Sequence, residues 1–74
     1  MEEILIATGS AIEGRTLLDA NLRQRFGVIV VGIQHSDHRM EFNPSPESAI
    51  HGGDKLVVHG RADSLKGLES EASR

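Results

Sequence analysis

The sequence predicts an α+β domain: a small, mostly antiparallel sheet with two helices, in the order β-α-β-β-β-α. Three observations predict it. Runs 28–34, 39–43 and 55–60 are apolar or alternating, and only turn-forming residues separate them, as in hairpin-connected strands. The apolar period lengthens from two to about 3.6 at 16–26 and again at 61–74. The chain has 74 residues, the size of a single domain.

The first strand is read over 3–9, with Ile4 and Ile6 on one face and Leu5 and Ala7 on the other. Ser10 to Arg15 turns the chain. In the helix 16–26, Thr16 and Asp19 resemble a capping box, Leu18, Leu22 and Phe26 form an apolar stripe, and Gly27 is a C-terminal stop. Asp19 and Arg23 are spaced to pair across one turn.

The strand 28–34 runs Val28, Ile29, Val30, Val31, Gly32, Ile33, apolar without alternation. Two helices cover one face of a sheet, so a second copy of the domain is expected over the other. Residues 35–38 form a turn. Residues 39–43 read as a half-buried strand, with Met40 and Phe42 toward the core and Glu41 away from it. Ser45 and Pro46 open a short turn, and His51 to Asp54 make another. The last helix, 61–74, is polar except for Leu65 and Leu68, and residues 70–74 are expected to fray.

Composition narrows the function classes. There is no cysteine, which excludes disulfides and thiolate zinc sites. The net charge is −3 and the aromatics are Phe26 and Phe42 alone, so the basic excess and stacking rings of a nucleic-acid binder are missing. The longest apolar run is far short of a membrane span, so no direct membrane insertion is expected. No serine lies in a nucleophile-elbow pattern and no acid–base pair sits among apolar residues; the chain is not expected to be an enzyme. His35, Asp37 and His38 crowd one turn but match no metal-ligand spacing, so no metal site is assigned.

The residues resemble a family. The succession is Ile12, Gly14, Arg15, Thr16 and Leu17, then Arg23 and Gly27. It continues through Val28–Ile33, Pro44 or Pro46, Gly53-Asp54, Leu56–Val58 and Gly60. That order is similar to the C-terminal lobe of regulator-of-potassium-conductance (RCK) domains, also called the TrkA-C domain, and the similarity spans 3 to about 68. The resemblance implies a cytosolic regulatory module that dimerises and binds a small ligand. Such a module controls a potassium channel or a potassium or cation transporter, usually from the tail of a longer polypeptide. In some relatives the ligand is cyclic di-AMP, in others a divalent cation. The nucleotide-binding lobe that often precedes it has no counterpart here, since no G-x-G-x-x-G follows a strand.

By motif position the resemblance carries the ligand cleft onto Arg23, Ile29, His38 and Pro44. A dianionic ligand on a two-fold axis needs a cation from each protomer and apolar walls: Arg23 would clamp the phosphates, and Ile29, Val31 and Pro44 would wall the bases. The sequence departs from the pattern twice. Ile29 stands where a polar side chain helps read the base, and Gln34-His35 replaces a frequent basic pair. The competing expectation is a structural dimerisation module without a ligand, with Arg23 a solvated helix residue paired to Asp19.

Overall fold

A computed structural model describes Met1–Arg74. Its elements are β1 (Glu2–Leu5), α1 (Leu17–Ala20), α2 (Leu22–Phe26), β2 (Ile29–Gln34), β3 (Met40–Phe42), β4 (Lys55–His59) and α3 (Ala62–Ser73). The strands lie side by side as β1-β4-β2-β3, every pair antiparallel. α2 packs on β2, α3 on β1, and the two helices touch each other, so one sheet face is covered. Between sheet and helices lies one core that includes Ile4, Ile6, Ile33, Leu56, Leu65 and Leu68.

A bulge in β2 sets which residues face that core. Val30 pairs with Val58 of β4, but the next β4 residue, Val57, pairs with Gly32, so Val31 is an extra residue without a partner there. One extra residue inverts the facing of everything after it. Val28 and Val30 face the helices before the bulge, and Ile33, opposite Leu56, faces them after it. The unbroken apolar run is therefore partly a change of parity. The same inversion corrects the reading of β3. Glu41, opposite Ile33, turns toward the helix side, whereas Phe42 and Met40, opposite Gly32 and Gln34, turn outward. Phe42 is 78% exposed, and Ile29 stays 47% exposed on that outer face, which no part of this chain covers.

The helix expected over 16–26 forms as two short segments. Asn21 between them is left-handed, with φ 53°. Thr16 caps α1 as expected, its Oγ1 accepting from Asp19 N at 3.1 Å, and Gly27 ends α2 in the left-handed region. The break at Asn21 reorients α1, so the stripe is interrupted: Leu22 is buried, but Leu18 is 68% exposed. β1 ends at Leu5, earlier than expected, because Ile6 bonds to the turn before β4, donating to Asp54 O at 2.8 Å. α3 continues to Ser73. Ala72 is buried, and its carbonyl accepts from Ala7 N at 2.7 Å.

Two loops far apart in sequence are joined by Glu13. Its carboxylate accepts from Gly9 N at 2.6 Å and from Gly52 N at 3.1 Å. Gly52 has to be glycine, because a Cβ there would lie 2.8 Å from Cα of Thr8. The hairpin joining β2 to β3 is held by side chains as well. His35 Nε2 is 3.1 Å from Glu41 Oε1, and its Nδ1 is 3.4 Å from the buried Asp54. Ser48 also donates to Glu41. These hydrogen bonds, first from Ser48 and then from His35, hold the Glu41 carboxyl below its ordinary value.

Two outcomes follow from these contacts. Glu13→Ala leaves two loop amides without their carboxylate and should lower stability by about 1.5–3 kcal/mol in urea unfolding. Glu13→Gln, which keeps one acceptor, should lose less, and an Ala variant as stable as the parent would remove the carboxylate from the energetics. Glu41 ionises more readily folded than unfolded. Its contribution is therefore complete above its ordinary value of 4.5 and disappears as pH falls through the lower folded value. Stability measured on acidification should decline there, and Ser48→Ala should reduce that decline; superimposable curves would refute the assignment.

Candidate functional site

An apolar groove lies beside the covered sheet face, between the α1–α2 break and the segment after β3. Its volume is about 410 Å³, within the range of about 300–1,000 Å³ typical of small-molecule sites. Leu17, Leu18 and Leu22 form one side, the start of β2 forms the floor, and Pro44 and Pro46 form the far wall. Arg23 is the single charged residue lining it, and two carboxamides, Asn21 and Asn43, are its other polar side chains.

Local chain geometry builds this groove. The left-handed turn at Asn21 lifts α1 out of line with α2 and leaves Leu18 over the opening. At the other side, Asn43 is also left-handed, with φ 47°, and its N–H donates to Val31 O at 3.1 Å. That bend, followed by two prolines that fix the backbone, brings Pro44 and Pro46 back over β2. Leu17 N and Leu18 N donate to Ser48 O and Pro46 O at 3.0 and 2.9 Å, which ties the proline segment to α1.

Three of the five residues expected at the site, Arg23, Ile29 and Pro44, line the groove together. Val31 does not; it is the bulged residue, and Val30, just before the bulge, lines the groove. His38 lies elsewhere in the same chain, in the β2–β3 turn, beside a small crevice of about 80 Å³ with Gln34, Ser36 and Lys55. Arg23 is free of the expected pairing with Asp19. That carboxylate instead borders a separate polar trough with Arg15, Arg25 and Glu71, where Arg25 and Glu71 are paired. Sequence reasoning missed Leu18, Asn21, Asn43 and Pro46. The available signals were the asparagine inside a helical pattern and the Asn-Pro-x-Pro succession, which reads first as punctuation.

An open groove with apolar walls, one guanidinium and no lining carboxylate suits an anion that carries flat apolar groups. It offers no nucleophile, and no carboxylate that would help hold a divalent cation.

Comparison with known proteins agrees with this architecture. The family model described as the TrkA-C domain matches residues 1–72. An uncharacterized transporter of Rhodopirellula baltica is 41% identical over 61 residues, covering 82% of this chain and 11% of that protein. An RCK_C domain dimer of S. agalactiae BusR, solved in complex with c-di-AMP, superposes with a TM-score of 0.87 at 24% identity, covering 95% of this chain and 85% of that one. The RCK C domain of the potassium transport protein KtrA, solved in complex with cyclic diadenosine monophosphate, superposes with a TM-score of 0.82 at 25% identity, covering 93% and 78%. The chain spans only 11 to 12% of the length of that transporter and of two uncharacterized transporters from Bacteroides that it also matches. The four-stranded antiparallel sheet, the helices on one face and the match across residues 1–72 have one reading: the chain belongs to the TrkA-C domain family.

Proposed function

We propose that this chain is the ligand-sensing lobe of a potassium channel or of a potassium or cation transporter, acting from the cytosolic side. It works as a homodimer and by binding, without catalysis. Its ligand is a cyclic adenine dinucleotide, with cyclic di-AMP the best candidate. The observation that carries this reading is the groove in which Arg23 is the lone charge among apolar walls. The KtrA relative bound to cyclic diadenosine monophosphate supports the same ligand class.

Cyclic di-AMP carries two negative phosphates and two flat bases. Each groove provides one cation for a phosphate and apolar faces, Leu18, Ile29 and Pro44, for a base. One groove is open and serves half of such a ligand; two related by a two-fold axis serve both halves. A ligand that bridges protomers binds one relative arrangement better than another. It biases the attached gate only to the extent of that difference in affinity. A divalent cation fits this groove poorly, because no carboxylate lines it.

Cyclic di-AMP at a hundredfold excess over its Kd should stabilise the folded chain by about 2.7 kcal/mol, which raises the melting temperature by roughly 10 °C or more. Arg23→Ala should weaken binding by at least about tenfold. It should leave the ligand-free melt nearly unchanged, since Arg23 has no ion-pair partner among the salt bridges. Sedimentation should report a dimer. A dimer whose melt responds to no nucleotide and no divalent cation would instead be a structural dimerisation module.

A further inference from the structure

We infer that Asn43 reads the base in this groove, its carboxamide pairing with the edge of an adenine. The inference rests on the ligand reading above and adds the residue that selects the base.

Three non-glycine residues of the chain have positive φ: Asn21, His38 and Asn43; the two asparagines flank the groove. Glycine adopts this conformation at the least cost, and four glycines of the chain do so elsewhere. At position 43 the chain instead carries an amide side chain on a left-handed backbone. Asparagine tolerates that backbone and glycine would serve it as well, so the conformation does not itself require the amide, which is exposed. The main-chain N–H of Asn43 is used, donating to Val31 O at 3.1 Å, but the carboxamide makes no hydrogen bond to the protein. Asn21 differs, because its Nδ2 lies 3.4 Å from Gln24 Oε1.

The rest of the groove leaves a base without polar partners. Leu18, Ile29 and Pro44 present hydrocarbon, and Arg23 is the one charge available to a phosphate. A buried base edge without hydrogen bonds is costly. Along its major-groove edge adenine presents the N6 amino donor beside the N7 acceptor, and a carboxamide answers both with its own acceptor and donor. Guanine presents two acceptors, O6 and N7, along its major-groove edge, so one of them would face the asparagine carbonyl.

Titration calorimetry with cyclic di-AMP and cyclic di-GMP tests this on three variants. Asn43→Gly removes the amide and keeps the left-handed backbone, so its ligand-free melt should match the parent. The parent should prefer cyclic di-AMP. Asn43→Gly should lose about tenfold or more in affinity for cyclic di-AMP with little change for cyclic di-GMP, so the preference collapses. Asn43→Asp, which replaces the donor by a second oxygen and adds a negative charge near the phosphates, should lose more. Arg23→Ala should weaken both dinucleotides alike. If Asn43→Gly keeps affinity and preference while Arg23→Ala weakens both, the base-reading role is wrong and the ligand reading stands. A parent chain that binds neither dinucleotide overturns both.

Discussion

The bulge in β2 is the constraint on which the rest of the structure depends. A sheet backed by helices on one face has to present apolar side chains there along the whole of its central strands. β4 does so with Leu56 and Val58. β2 begins with Val28 and Val30 facing the helices, and simple alternation would next present Gly32 and waste Ile33 on the outside. Inserting Val31 as an extra residue brings Ile33 over Leu56 and completes the core. The gain is the burial of a whole isoleucine side chain, about 1.5–3 kcal/mol, against a locally disturbed ladder. The same residue sets the facing of β3, sending Glu41 toward His35 and Ser48 and leaving Phe42 outside.

The groove follows from two backbone departures of another kind. Asn21 and Asn43 both adopt the left-handed conformation, which asparagine tolerates better than most residues. One stops α1 from continuing into α2, and the other turns the chain from β3 into the proline segment. A continuous helix would point Leu18 along the same stripe as Leu22. The break leaves it at the groove opening, 68% exposed. Hydrophobic surface that the fold holds open in this way is available to a ligand or a partner, whereas the same leucine in a regular helix would only add to the core.

Much of the fold was legible because local chemistry and tertiary structure agree. Thr16 caps, Gly27 stops, Asp54 closes its turn by accepting from His51 N, and Leu65 and Leu68 face inward, as their sequence positions imply. What could not be read is what departs from regular periodicity. A bulge has no residue signature of its own, so Val31 was assigned to the wall that Val30 lines, and Met40 and Phe42 were assigned to the wrong face. The break at Asn21 is a tertiary choice of a conformation that asparagine tolerates better than most residues. Arg23, Ile29 and Pro44 were legible as a set because the family motif carries their positions across such irregularities. His38 came from the same motif, but no contact within one chain brings it to the groove.

Charge explains why the groove would need enclosure. The chain carries a net charge of −3, so a dianionic nucleotide gains nothing from its overall field. At physiological salt, charges farther apart than about 8 Å are largely screened, and Arg23 in a groove free of carboxylates is what such a ligand would meet. In an open groove that guanidinium remains hydrated, and an exposed pair of this kind contributes at most about 1 kcal/mol. Excluding water raises the value of the same contact, as in the deeper interior where the effective dielectric constant is low. The apolar surfaces at the rim, Leu18 and Ile29, are suited to that exclusion once a second copy or the ligand's own bases cover them. Affinity for the anion and association of the protomers would then be a single linked equilibrium, and a ligand could alter how two chains are related without changing the fold of either.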